Sequence, residues 1–260
     1  MTINPPTEDD IKLAIAQLYA QVGVEYPDKL LSALVPVDKT FLKGRAMINY
    51  VVDWEMQEIC DFVNGFNTHI QQTEDRFQIV RLKTLIYCHI MEADLPLTIL
   101  WNLLRILNGD SCDWTFHRIT KSGNRHVCQY PREKIIELKR LSDETGLDIG
   151  EVVERLREPG LRNTFSHSQY CWMGDRLQPT KSLSPISRKD GGANNVQAFT
   201  FDEIDTLYRR ADNLLYYFTV CYRFVIANYK DGNAYRIQDG WIVWDKQSGW
   251  VWEENARVAT

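Results

Sequence analysis

Apolar residues return every three or four positions through most of this chain, and that spacing fits one face of an α-helix far better than a strand. Ile11, Ala14, Ile15, Leu18 and Val22 follow it, with Thr7 and Asp10 placed as a capping box at the start. Pro27 and Asp28 open a short second segment. Met47, Val51, Trp54, Ile59, Phe62, Val63 and Phe66 predict a long helix from Phe41 to about Ile70, broken near Gly65. Another is predicted to start at Thr73 and run through Phe77, Val80, Leu85 and His89. Pro96 suits the first turn of the next, which Asn108-Gly109 stops. Helix resumes at Pro131, ends at Gly146, and a shorter one covers Ile149 to Leu156. The pattern therefore predicts an all-α bundle.

Three stretches depart from it. Residues 110–130 lose the period and read as a loop or small hairpin with Gly123-Asn124 at its tip. Residues 174–199 form a polar insertion too long for an ordinary connection, hence a lid, an arm or a hairpin-bearing insertion. After a long helix opened by the Thr200/Glu203 capping box, the tail alternates at Tyr235, Ile237, Trp241, Val243, Trp250 and Trp252, which predicts a small antiparallel β ribbon. Its tryptophans suit a clasp over the core or a platform for bases or a protein partner. The organisation predicted is a helical extension over 1–40, a helical domain over 41–228 and the ribbon over 229–260.

Charge narrows the function classes. The net charge is −5, and only the central segment 111–200 is basic, at +3. That permits a local anion site and excludes the long basic stripe of a tight duplex binder. Six scattered cysteines read as reduced thiols, and the opening MTINPPTEDD has no secretory pattern. No apolar run is long enough for a membrane span, so a cytoplasmic protein is expected.

The segment Leu161-Arg162-Asn163-Thr164-Phe165-Ser166-His167 concentrates chemistry after the Pro159-Gly160 break. Arg162 can grip a phosphate through two parallel hydrogen bonds. The imidazole of His167 can give and take a proton near neutral pH. On an ideal helix the two would stand about 140° apart. Either Arg162 lies in a non-helical turn before a helix starting near Leu161, or a second copy of the chain completes the site. A structural histidine and a helix-end ion pair fit the same residues.

This segment resembles the ribonuclease motif of the HEPN superfamily, helical domains of prokaryotic toxins and phage defence. Arg162 matches its arginine, Asn163 the polar residue after it and His167 its histidine, while 201–228 is similar to the closing helix; by helical order the likeness covers about 40–228. The resemblance implies metal-independent RNA cleavage by the RNA's own 2′-hydroxyl, without a cofactor. In that reading His167 moves the proton, Arg162 neutralises the phosphate and Asn163 orients His167 or binds phosphate. Glu92, Ser166 and Tyr170 are candidate supports. A homodimer, and an antitoxin or defence-complex partner, are implied too. The alternative is a helical RNA-binding or protein-interaction scaffold that does not cut.

Two other sets are weighed. Cys112, His117, His126 and Cys128 are residue types that zinc accepts, in a spacing unlike the usual knuckle; a plain hairpin or loop is the simpler reading. His89 reads as a buried, hydrogen-bonded core histidine. No phosphate loop, His-Glu-x-x-His pair or dinucleotide fingerprint occurs.

Overall fold

The computed structural model describes residues 4–35, 50–166, 168, 170–179, 198–237, 240–246 and 249–253. The chain is mostly helical with a few short antiparallel strands. Helices α1 (Glu8–Glu25) and α2 (Pro27–Leu34) are followed by α3 (Tyr50–Gln72), α4 (Arg76–Glu92) and α5 (Asp94–Leu107). Strands β1 (His117–Ile119) and β2 (Arg125–Val127) form the hairpin of the 110–130 excursion, turning at Gly123 with φ +80°. Then come α6 (Pro131–Thr145), α7 (Ile149–Leu156) and α8 (Pro159–Ser166). Next are β3 (Tyr170–Met173), β4 (Arg176–Pro179), β5 (Phe199–Thr200) and α9 (Phe201–Asn228), and the chain ends in β6 (Ala234–Ile237), β7 (Gly240–Asp245) and β8 (Gly249–Glu253).

The core sits where α9 lies along α4 and α1, with α5 against α1 and the α6–α7 pair closing the far side. Ile11, Ile15, Leu18 and Val22 are wholly buried, so the apolar stripe of α1 belongs to the bundle centre and not to an extension. Each such side chain contributes about 1.5–3 kcal/mol of transfer free energy. Trp101 of α5 is fully buried and stacks on Phe116, 4.5 Å between centroids, tying the hairpin to the core. Among the described residues no helix is long and apolar enough to cross a membrane.

Several boundaries differ from the sequence expectation for local reasons. Helix α3 runs through Gly65 unbroken, because one helical glycine costs only ~1 kcal/mol against alanine. Its predicted beginning at 41–49 lies outside the described residues. Asp75, not Thr73, caps α4, its carboxylate accepting from the N–H groups of Phe77 and Gln78. The tail's antiparallel ribbon is a three-stranded sheet, β6-β7-β8. Its register puts Tyr235 and Ile237 on the face of Ile242, Trp244 and Trp250, so the inward alternation skips Trp241 and Val243. Ile242 and Trp250 are completely buried, which makes this sheet a clasp on the helical body. The polar insertion starts as a hairpin, β3-β4, turning at Gly174 (φ +63°), with β5 added beyond 180–197, which are outside the described residues.

Helices α6 and α7 cross at Gly150, whose N–H donates to Ser142 Oγ at 2.8 Å. A Cβ there would stand 2.5 Å from Lys139 Cα and 2.6 Å from Ser142 Cβ. Gly150→Ala should therefore cost about 2–3 kcal/mol and lower the thermal midpoint by roughly 4–10 °C. Gly65, with nothing within 4 Å of its Cβ direction, is the control: Gly65→Ala should be neutral or slightly stabilising. Equal thermal midpoints for the two variants in calorimetry would contradict this packing.

Candidate active site

The motif is carried by α8, which is held over α4 by a buried phenol. Tyr87 donates its hydroxyl hydrogen to Leu156 O at 2.9 Å, and the same oxygen accepts the Glu158 N–H at 2.7 Å. Both backbone groups belong to the α7–α8 junction, where neither has a helical partner. Pro159 is the first residue of α8, so Pro159-Gly160 opens the helix where the sequence reading placed a break. Proline suits that position because its ring presets φ and the missing N–H has no helical acceptor to lose. The Gly160 N–H donates to the Glu158 carboxylate at 3.1 Å, and Leu161 is fully buried beneath it.

Arg162 follows one residue later, inside the helix, its N–H bonded to Glu158 O at 3.2 Å. Of the two arrangements open from sequence, the non-helical turn before a helix starting near Leu161 is therefore not the one formed. Its Nε donates to Glu92 Oε1 on the last turn of α4, and its Nη1 donates to Asn163 Oδ1 at 3.1 Å. The hydrogen bond it donates to Glu92 is the main influence holding the guanidinium above its usual range, with burial opposing it. The pair is partly open to solvent, at 38% and 36% side-chain exposure. An ion pair so exposed adds ~0–1 kcal/mol to stability. It does fix the guanidinium's direction, and among the described residues Nη2 has no partner, which leaves a donor for an oxyanion.

Asn163 is exposed; its oxygen is given to Arg162, and its amide NH₂ has no acceptor among the described residues. Ser166 is exposed at the end of α8, and Ser168 takes a left-handed backbone, φ 52°, its N–H closing on Phe165 O at 3.0 Å. Tyr170 is half-buried and stacks on Phe165, centroids 5.6 Å apart and planes 15° apart. His167 lies outside the described residues. Of the six motif and supporting residues, the structure thus brings Arg162, Asn163 and Glu92 together, places Tyr170 in an adjoining aromatic cluster and gives Ser166 no partner among the described residues. Glu92 is engaged with the arginine.

One residue was misjudged from sequence. His89 is half-buried, not buried, and among the described residues it makes no hydrogen bond. It stacks on Phe62 with 4.0 Å between centroids. It stands three residues before Glu92 on α4, so the two share a face. They line a hollow of about 350 Å³ with Glu55, Glu58, Ile59, Phe62 and Ala93. Burial, with a smaller push from Asp94, raises the Glu55 carboxyl above its ordinary value. The spacing His89-x-x-Glu92 was a visible signal; the apolar neighbours Ile86 and Ile90 masked it.

The Cys/His set does not converge. Hairpin register pairs His117 with Val127 and Arg118 with His126, which puts His117 and His126 on opposite faces of the ribbon. His117 Nδ1 lies 2.9 Å from Thr115 O and His126 Nε2 3.3 Å from Glu133 Oε1. Burial pushes the Cys112 thiol up to about 12 and Cys128 to about 11. Among the described residues no group of three or more such side chains could hold a metal ion.

Burial holds the His89 imidazole below its ordinary 6.5, against a smaller upward pull from Glu92. The folded protein thus binds this proton less readily than the unfolded chain, so the stability involved is complete above about pH 6.5 and is lost as pH falls through the lower, folded value. Thermal midpoints should drop between pH 7 and pH 5, and His89→Gln should flatten that drop. Parallel pH curves for variant and parent would contradict a depressed imidazole.

The chain matches no protein-family model, no curated protein and no solved structure.

Proposed function

We propose that this chain is a metal-independent endoribonuclease of HEPN type. The observation that carries the reading is the Arg162 guanidinium, held charged and directed by Glu92 and Asn163 at a solvent-accessible point of the motif helix. A guanidinium oriented in advance loses little freedom when a phosphate arrives, which makes its stabilisation of developing negative charge effective. The 2′-hydroxyl of RNA supplies the nucleophile, so DNA is inert. His167 acts as the proton carrier, taking the 2′-hydroxyl proton or protonating the leaving 5′-oxygen. Arg162 neutralises the non-bridging oxygens, and the amide of Asn163 donates to the phosphate. The rest of the reading is a homodimer that serves as a toxin or phage-defence effector, opposed by an antitoxin or held in a defence complex.

Incubating the protein with mixed RNA in EDTA should yield products ending in 2′,3′-cyclic phosphate. Arg162→Ala and His167→Ala should each lower the rate at least tenfold, a barrier increase of at least ~1.4 kcal/mol, while thermal midpoints stay within about 2 °C of the parent. Arg162→Lys should not restore the rate, because an ammonium lacks the planar fork. RNA left intact by the parent protein, or cut equally well by both alanine variants, would overturn the nuclease reading in favour of a scaffold that binds without cutting.

A further inference from the structure

Arg81 stands eleven residues before Glu92 on α4. Eleven residues turn an ideal helix through three turns plus about 20° and advance it about 16 Å. Arg81 and the Glu92–Arg162 pair therefore lie on one stripe of α4, toward opposite ends. An aromatic path connects them. From the motif helix, Phe165 stacks on Tyr170, whose ring centroid is 5.7 Å from that of Trp172. Trp172 in turn meets Phe77 at 5.9 Å and Phe201 at 5.3 Å.

Two arginines finish the path. The Arg81 guanidinium carbon lies 5.9 Å from the Trp172 centroid, and that of Arg76 lies 4.7 Å from the Phe201 centroid. Both arginines are exposed, Phe77 is 41% exposed, and neither arginine forms an ion pair among the described residues. A guanidinium resting on a ring instead of a carboxylate keeps its N–H donors available for an anion. Phe77, the exposed ring, offers a π-face for a base beside cations for its phosphate, the combination that single-stranded nucleic acid uses.

We propose that this strip, Tyr170, Trp172 and Phe77 with Arg76 and Arg81, binds the single-stranded RNA that flanks the phosphate held by Arg162. It rests on the nuclease reading above for its anchor. From Glu92 the helix advances about 16 Å to Arg81 and about 24 Å to Arg76, room for roughly four to seven nucleotides between extended and stacked spacing. Duplex RNA is excluded, because its base faces are already stacked on one another.

The test measures binding of uncleavable 2′-O-methyl oligonucleotides of three and nine residues to the full chain by fluorescence anisotropy at several salt concentrations. The nine-residue strand should bind at least tenfold more tightly than the three-residue one. The double substitution Arg76→Gln and Arg81→Gln, which keeps the aliphatic stems, should abolish that length advantage and leave three-residue binding and the thermal midpoint unchanged. The salt slope should fall in magnitude by about 1.4, two phosphate contacts at ~0.7 each on a single strand. Arg76→Lys with Arg81→Lys, keeping charge but not the flat contact on the rings, should retain the salt slope and lose part of the length advantage. Equal affinity for both lengths, a retained advantage in the glutamine variant, or equal competition by a nine-base-pair duplex or an acidic peptide would overturn the strip. Because nothing is cut in this assay, the two readings fail separately. Length-dependent binding without cleavage of ordinary RNA keeps the strip and removes the nuclease; cleavage with length-independent binding does the reverse.

Discussion

The position of the motif depends on one hydroxyl group. Where α7 gives way to α8, the chain leaves the helical hydrogen-bond pattern, and a carbonyl at Leu156 and an N–H at Glu158 must be satisfied inside the protein. Tyr87 reaches across from α4 and serves both, and burial drives its own ionisation far above the usual range, so it remains a donor and acceptor at any physiological pH. Leaving such buried backbone groups unpaired costs ~1–3 kcal/mol each. The junction therefore has one favourable resting place against α4, and Arg162, a turn further on, arrives at Glu92 as a consequence.

Charge along α4 then divides the surface around that point. On one side of Arg162 the hollow holds Glu55, Glu58 and Glu92 about His89. Toward the other end of the helix stand Arg81 and Arg76, laid on aromatic rings. On the nuclease proposal, a strand at Arg162 would meet like charge in the hollow and the guanidinium groups of Arg81 and Arg76 along the strip.

Most of the helix order was legible in the sequence because helical periodicity is local and redundant. The capping boxes at Thr7/Asp10 and Thr200/Glu203 form as their spacing requires. The left-handed stops at Gly109 and Gly146 likewise need no tertiary information. Features set by distant partners were not legible. Proline followed by glycine is ambiguous between a break and a helix start, and only the carboxylate of Glu158 with buried Leu161 beneath decides for the start at Pro159. The tail failed by one step of register: Gly240 begins β7, so Ile242 and Trp244 take the face that Trp241 and Val243 were expected to occupy. The site was half legible. Residue types named Arg162 and Asn163, but nothing local showed that Glu92, seventy residues earlier, would hold the arginine.

The hollow beside Glu92 also bears on which imidazole can serve the proposed reaction. His89 is neutral more readily than an ordinary histidine, a property that suits a general base. Its surroundings argue the other way. A phosphate brought to His89 would face the carboxylates of Glu55, Glu58 and Glu92 in a partly buried setting where like charges are poorly screened, and Phe62 already covers a face of the ring. From Arg162, the cations of the proposed strip, Arg81 and Arg76, run toward the other end of α4. A phosphate seated on Arg162 is therefore best served by a proton carrier from the end of α8, and within the motif His167 is the residue whose chemistry meets that requirement. In this arrangement the acidic hollow sets a boundary, keeping the strand on the cationic side of Arg162.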